Sequence, residues 1–430
     1  MSLLEIKTQL LAIKSGGVPV LKRKLSRILE LFLVFIAYIP IFILLILLRL
    51  ISPLIHIRFG FLTTERIGHL AMNTELYLCE VDQKQHSETI KKYTFDFWLE
   101  GRSVCNQYLL QAWAQKLTIL KIPYFISRTI ILANSALPKS HHFLCSRISN
   151  DRDINNVLLK SPSRLKLPND DLRIAWKELK KFGIQKTDRW VCLQVRDSAY
   201  LDELTGTNNA NLYHSYRDCS INDFLGVAEF LANQGIYVFR MGRVANQRLI
   251  SSNPLIIDYA FSDLRSDLLD MVLGSGCFFC LTTGSGFDAI PQIFRRPILE
   301  VNYLPIGHMR TFLNNSMCLA RKLRFKNSSE FLSLEEIFKF GFAYSLSTEE
   351  YESLEIVSNT PEEILNAATE FLGHISQGEK SLFQKTAQEK FINKFKYCIK
   401  MYPPSEPLHG SLMPMNYSSQ FIHDNPEWLD

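Results

Sequence analysis

The stretch "CFFCLTTGSGFDAIPQIFRR", residues 277–296, decides the fold class. Five apolar residues, Cys277 to Leu281, break abruptly into Thr282, Thr283, Gly284, Ser285 and Gly286, and a helical stretch follows despite Pro291. A strand that is apolar throughout, rather than alternating, is one buried on both faces, as in a parallel sheet covered by helices. The neighbouring sequence repeats the pattern. "RWVCLQV" (189–195), "IYVFRMG" (236–242), "LIIDYA" (255–260) and "PILEVN" (297–302) read as further strands. Between them lie the helical stretches "INDFLGVAEFLANQ" and "DLRSDLLDMVLG" (263–274). The first opens on a capping-box-like Ser220 and Asp223 and is closed by Gly235. This alternation predicts a doubly wound α/β domain over residues 172–400.

Upstream, "TFDFWLE" (94–100), "NQYLLQAWAQK" (106–116) and "LTILKIP" (117–123) give a βαβ rhythm, so a smaller Rossmann-like domain is expected over 58–150. The stretch "SNDRDINNVLLKSPSRLKLPNDD" (149–171) is rich in Asn, Asp, Ser and Pro, and a linker is placed at 151–171. Thr360, Pro361, Glu362 and Glu363 form a strong helix start. Residues 401–430 read as a tail whose aromatic end, "YSSQFIHDNPEWLD", docks back on the domain.

Residues 1–57 differ in character. From Ile28 to Ile51 the sequence reads "ILELFLVFIAYIPIFILLILLRLI", with charge only at Glu30 and Arg49, which meets the ~20-residue requirement for crossing a bilayer. Lys14, Lys22, Arg23, Lys24 and Arg27 precede it and Arg49 and Arg58 end and follow it, so basic residues lie on both sides. Pro40 predicts a bend, and two arrangements stay open: a span, or a re-entrant or interfacial segment that keeps to one leaflet.

The chain has 430 residues, 21% of them charged, and a formal net charge of +5. That excess is too small to argue for a nucleic-acid partner. Nine cysteines without the dense spacing of a disulfide framework fit a reducing compartment. Cys277 and Cys280 have C-x-x-C spacing but lack a second ligand pair, and they read as strand residues. Asp151 and Asp153 spell a D-x-D, but in the polar linker, where a solvated surface position is expected; neither metal nor cofactor is expected. Nucleotide-binding G-x-G-x-x-G after the first strand, G-x-x-x-x-G-K-[ST] and G-x-S-x-G are all absent from the sequence.

Ligands of open parallel sheets bind beyond the carboxyl ends of the strands. The candidates there are Arg196 and Asp197, Arg240 and Gly242, and Thr282, Thr283, Gly284, Ser285 and Gly286. Glycines allow backbone N–H groups close to an anion, hydroxyls donate to it, and arginines supply planar forks, a set suited to a diphosphate. An ordinary strand-to-helix turn uses the same small residues; the two arginines at neighbouring strand ends favour the anion site. Tyr213, His214 and Arg217 in "YHSYRD" are expected over the same rim. Nearer the amino terminus, "ERIGHL" (65–70) offers His69, an imidazole that titrates near neutrality, as a general base for a hydroxyl, with Glu65 as the fallback.

The ordered set "CLQVRDSAYL", "YHSYRD", "FRMG", "TTGSG", "RRPILEVNYLP" and "NPEWL" resembles a family of bacterial glycosyltransferase-like proteins of surface-polysaccharide gene clusters, itself similar to GT-B enzymes. The resemblance covers roughly residues 60–430. It implies a GT-B fold of two Rossmann-like domains facing a cleft, a nucleotide-sugar donor held by the second domain, and a glycan or lipid-linked acceptor approached from the first. "VRD" also resembles the H-x-R-x-x-D strand end of fucosyltransferases, but Gln194 stands in the histidine place and the acid follows Arg196 directly, so the sugar is left open. Because bacterial nucleotide sugars are cytoplasmic, the resemblance places the enzyme at the cytoplasmic face of the inner membrane. A non-catalytic glycan-binding or scaffold subunit, and a pyruvyl or phosphoryl transferase acting on glycan, are the alternatives.

Overall fold

The computed structural model describes residues 3–83, 93–138, 142–144, 152–197, 217–311, 313, 315–345, 352–378, 380–405 and 416–429. Its first elements are α1 (Leu3–Leu50), β1 (His56–Phe61), α2 (Ile67–Asp82), β2 (Thr94–Leu99), α3 (Gln107–Ala114), β3 (Thr118–Leu120), α4 (Tyr124–Ser135) and β4 (Phe143–Leu144). There follow α5 (Val157–Lys160), α6 (Asn169–Leu179), β5 (Trp190–Gln194), α7 (Leu225–Asn233), β6 (Tyr237–Arg240), β7 (Ile256–Ile257), α8 (Asp267–Gly276) and β8 (Phe279–Thr282). The last are α9 (Ala289–Ile293), β9 (Ile298–Tyr303), β10 (Ser316–Ala320), β11 (Lys322–Phe325), α10 (Leu334–Lys339), β12 (Leu354–Val357), α11 (Pro361–Gln377), α12 (Leu382–Met401), β13 (Asn416–Tyr417) and α13 (Ser419–Asp424).

The chain divides into two compact units. One comprises Met1–Glu65, His86–Val104 and Ala114–Ser146, the other Arg66–Gln85, Cys105–Trp113 and Arg147–Asp430. This division departs from the expected boundaries at 58, 151 and 172 for physical reasons. Helix α2 buries Leu70, Met72, Leu76 and Cys79 in the second unit, where the buried Glu75 carboxylate accepts from Arg295 at 2.8 Å. At the start of α3 the Gln107 N–H donates to Asp267 Oδ2 at 2.7 Å. The expected linker is packed rather than solvated: Val157, Leu158 and Leu165 are buried, and Arg295 donates to the carbonyls of Leu158 and Ser161 at 3.1 and 3.2 Å. Asp153, expected at the surface, is buried as well, its two oxygens accepting from the N–H groups of Val157 and Leu158 at 2.8 and 2.7 Å. The short helix α5 needs that carboxylate for its otherwise orphaned amide groups. Asp151 lies outside the described residues.

The first unit is a four-stranded parallel sheet, order β3-β2-β1-β4. Arg58 and Asp96, directly opposed across β1 and β2, form a two-pronged ion pair with both contacts at 2.6 Å. Helices α1 and α4 pack together, with Leu45 and Ile130 in a core that also takes in Leu99, Phe59, Phe61 and Leu120 from the strands. Helix α1 keeps helical backbone through Pro40, and its break is at Gly17, which takes a left-handed φ of 58°. Proline removes one helical donor, but Tyr38, Ile41, Phe42, Leu45 and Leu48 pack against the sheet and α4 on both sides of it and hold the helix.

The second unit is a seven-stranded parallel sheet, order β13-β10-β9-β8-β5-β6-β7, with β11 and β12 as a separate antiparallel pair. The chain leaves β5 toward β6 and β7, then returns to β8 on the other side of β5. That reversal opens a crevice beyond the carboxyl ends of β5 and β8, where ligands of doubly wound sheets bind. Both flanking strands are buried at every position. The tail supplies β13 as an edge strand beside β10, and Tyr417 stacks between Phe391 and Trp428 at ring separations of 4.6 and 4.9 Å. Thr360 and Glu363 close a full capping box at α11, whereas Ser220 caps the turn before α7 through the Asn222 N–H. The helix expected over 287–296 is a 3-10 turn, Gly286–Asp288, followed by the five-residue α9.

Candidate functional site

A cavity of about 420 Å³ lies within the second unit, beyond the ends of β5, β6 and β8, with the first turn of α2 on its wall. Among the described residues that line it, seven are arginines (66, 196, 217, 240, 243, 265 and 310) and three are aspartates (197, 270 and 288). Forked cations gathered in a recess have the chemistry to hold an anion, although Arg196, Arg240, Arg265 and Arg310 each also pair with a carboxylate.

The turn after β8 sets the geometry. The Thr282 hydroxyl accepts the Gly284 N–H at 3.1 Å and donates to Asp288 at 3.3 Å. Thr283 ties the turn to the next strand: its N–H donates to the Gln194 carbonyl at 3.1 Å, and its hydroxyl accepts the Arg196 N–H at 2.9 Å. Both threonines are buried, and neither is on the cavity wall. Their hydroxyls serve the turn rather than facing a ligand, and Gly284, Ser285 and Gly286 are what the turn presents. Gly284 has a φ of 75°, a left-handed conformation that side chains other than glycine resist, and its carbonyl accepts from Arg217 Nη2. Gly286 lies against Gly68 of α2, so closely that a Cβ on Gly68 would stand 3.1 Å from the Gly286 Cα.

Arg196 reaches the cavity while its Nε donates to Asp218 at 3.2 Å; burial pushes the Asp218 carboxyl up against the pull of Arg196. Arg240 is almost wholly buried and pairs with Asp258 at 3.3 Å, with Asp197 Oδ2 at 4.0 Å. Burial lowers its pKa, and the two aspartates offset part of that. Asp197 also accepts the Asn246 N–H at 2.8 Å, and Gly242 accepts Arg265 Nε at 3.1 Å through its carbonyl. His69 lines the cavity from the first turn of α2. Glu65 belongs to the first unit and is not among the residues lining the cavity; its Oε1 accepts the Arg102 N–H at 2.6 Å. Tyr213 and His214 lie outside the described residues.

Several wall residues escaped sequence reasoning. Arg243 follows "FRMG" directly and carried a usable signal, a third arginine at a strand end. Arg310 carried none: it arrives from a 3-10 turn, Ile306–His308, beyond β9. Its Nη1 lies 3.1 Å from Asp288 and 2.7 Å from Glu300, a fully buried strand residue. Burial pushes Glu300 up to about 7 despite Arg310. Asp270, held by Arg265 at 2.7 Å, is likewise pushed up to about 6 by burial. Among the described residues, no group of three or more His, Cys, Asp or Glu side chains is placed to hold a metal ion. Cys277 and Cys280 are fully buried, and burial raises the Cys280 thiol well above its ordinary value.

No protein-family model and no curated protein sequence matches the chain. Solved structures similar to it include a family 9 glycosyl transferase from Veillonella parvula, at 13% identity and a TM-score of 0.42, covering 74% of this chain and 98% of that one. Another is the ADP-heptose lipopolysaccharide heptosyltransferase II of E. coli, at 10% identity and 0.36, covering 75% and 100%. A third is TibC, an iron-containing dodecameric glycosyltransferase of enterotoxigenic E. coli, at 10% and 0.38, covering 75% and 77%. Likeness at these scores assigns no activity by itself.

Proposed function

We propose that the protein is a glycosyltransferase of the GT-B type that moves a sugar from a nucleoside diphosphate donor to a hydroxyl of a surface glycan or lipid-linked oligosaccharide, at the cytoplasmic face of the bacterial inner membrane. The observation that carries this reading is the arginine-rich cavity at the point where strand order reverses, with Gly284, Ser285 and Gly286 on its wall. A diphosphate leaving group gains negative charge as the glycosidic bond breaks, and fixed cations aimed at it favour that change over the ground state. In this reading Arg196, Arg217 and Arg310 hold the diphosphate, with Arg240 fixing Asp197 and the rim from behind. His69 accepts the acceptor's hydroxyl proton. The acceptor oxygen then bonds to the anomeric carbon as the diphosphate departs with the bonding pair. Neither metal nor cofactor has an assigned role. Two units built on parallel sheets fit the GT-B plan expected from the sequence.

The test is a screen of nucleoside diphosphate sugars by calorimetry, followed by transfer assays with the donor that binds. Arg196→Gln, which keeps a donor for Asp218, should lower turnover about 100-fold, the cost of one transition-state donor, with thermal unfolding little changed. Equal turnover in that variant, or binding of polysaccharide with no nucleoside diphosphate bound, would remove the assignment.

A further inference from the structure

Helix α1 carries two apolar stripes, and only one is covered. Val34, Tyr38, Ile41, Leu45 and Leu48, at steps of three and four, face into the first unit, where Leu45 joins Leu99, Ile130 and Ala133 in the core. Both charges of the apolar run turn the same way. Glu30 pairs with Arg128 at 2.8 Å and also with Arg102, and Arg49 donates to the Asn134 side chain and the Pro138 carbonyl at 2.9 and 2.8 Å. The outer face holds Ile28, Phe32, Phe35, Ile39, Ile43 and Leu50, all exposed; Phe35 is 78% and Ile39 68% accessible. Their spacing of three, four and seven residues makes one continuous line along the helix.

We infer that this outer stripe lies in the plane of a lipid leaflet, so that α1 seats the first unit on the membrane without crossing it. The inference deepens the membrane part of the proposed function and rests on it. Glu30 and Arg49 stand 19 residues apart, about 28 Å along a helix. A crossing would bring them to opposite surfaces of a hydrocarbon layer about 30 Å thick. It would then draw α4 and the sheet, to which α1 is fastened at both points, into the hydrocarbon. That sheet is open at β3 and β4 and carries the Arg58–Asp96 pair, and open sheet edges are not tolerated in lipid. A helix lying flat meets none of these costs: its outer line sinks about 5–10 Å into the headgroup boundary while the covered face stays with the protein. Lys22, Lys24 and Arg27, on the same helix before the run, match anionic headgroups. A face of only aliphatic and aromatic side chains, without a polar partner along its length, suits lipid better than a second protein surface, whose interface core is only about 65% apolar.

The experiment uses the full chain with vesicles of phosphatidylcholine, with and without phosphatidylglycerol. Cysteines introduced one at a time at Ile28, Ile39 and Leu50 carry a fluorophore, and its depth is read by quenchers fixed at different levels of the bilayer. The expected result is equal, shallow depth at all three positions and tighter binding with phosphatidylglycerol. Phe35→Asp combined with Ile39→Asp should weaken vesicle binding by on the order of 100-fold or more, since two large apolar side chains lose their burial, while thermal unfolding stays put because both are exposed. Ile39 at the bilayer centre with Ile28 and Leu50 near its surfaces would overturn the in-plane seat and leave the membrane reading standing. No vesicle binding, with a concentration-dependent dimer abolished by the same double variant, would overturn both and give the stripe to a second copy of the chain.

Discussion

Replacing Glu300 by glutamine should stabilise the protein at pH 8 and leave it nearly unchanged at pH 5. Glu300 sits mid-strand in β9 with no solvent exposure, between Leu299 and Val301. The cation paired with it, Arg310, is shared with Asp288 through the same nitrogen. One guanidinium between two buried carboxylates cannot neutralise both, so burial dominates and the Glu300 pKa rises from 4.5 to about 7. Between those values the folded protein holds a proton that the unfolded chain has released. Stability from this group is therefore full at low pH and is lost as pH rises toward 7 and beyond. The gap amounts to about 3.5 kcal/mol at most, at about 1.4 kcal/mol per tenfold change in proton affinity.

Glutamine has no proton to lose and keeps an acceptor for Arg310, and the pull of Arg310 on the charged form is already contained in the net shift. The variant should thus gain up to about 3 kcal/mol over the parent at pH 8. Urea denaturation at pH 5, 6.5 and 8, followed by tryptophan fluorescence with Trp190 and Trp428 as reporters in the same unit, reads the difference. The pH slope of the parent should be steeper than that of the variant. A variant less stable than the parent at pH 8 by more than about 1 kcal/mol, with the slope unchanged, would show that the Arg310 pair outweighs burial and would refute the reasoning.

Glu300 and Asp270 together predict the pH dependence of ligand binding. As pH falls from 8 to 6, Glu300 near 7 and Asp270 near 6 take up protons beside the arginine-lined cavity, so a nucleoside diphosphate sugar, whose diester phosphates do not titrate there, should bind more tightly. Calorimetry across that range on Glu300→Gln combined with Asp270→Asn should find the trend flattened. Trp428→Ala should cost about 3–5 kcal/mol, because it removes a nearly buried ring from the stack with Tyr417 and Phe391 that fastens the edge strand β13; equal stability in the same denaturation assay would mean that the tail merely decorates the domain.

The parallel sheet of the second unit was legible because burial on both faces leaves an unbroken apolar signature. "WVCLQ" and "FCLT" carry it up to their polar last residues, Gln194 and Thr282, and the structure buries every one of those residues. The rim followed from topology alone: once the strands are parallel, their carboxyl ends must hold Arg196, Arg240 and the glycine turn. What a residue does within that rim was less legible. Thr282 and Thr283 have the composition of phosphate ligands, but a turn of this sharpness needs its own acceptors and donors, and the backbone groups of Gly284 and Arg196 take both hydroxyls first. Asp153 shows the same competition, its carboxylate drawn inward by two amides of α5. Arg310 was out of reach for a different reason. It is the partner of Asp288 and Glu300 only because β9 pairs beside β8, which sets Glu300 opposite Thr282, a pairing across strands that leaves no local mark.

Helix α1 marks the limit of hydropathy as a guide. Within Val20–Leu50 its best 18-residue window reaches a mean hydropathy of 3.2, and by length and composition the helix is long and apolar enough for a span. Such a test counts apolar residues without asking what each one faces. Two independent demands can fill one helix: a sheet that needs a covering layer, and a lipid surface that needs an insertion face. Each asks for an apolar stripe at the same period, and their sum is indistinguishable in composition from a segment surrounded by lipid. What separates the two cases is where the charges go. In a span, Glu30 and Arg49 would be pushed to the ends and outward to water; here both turn inward to partners on a folded domain. A charge at each end of the run, each with a partner on α4, ties the helix down along its length, and that tie is the ground on which an in-plane seat is inferred over a crossing.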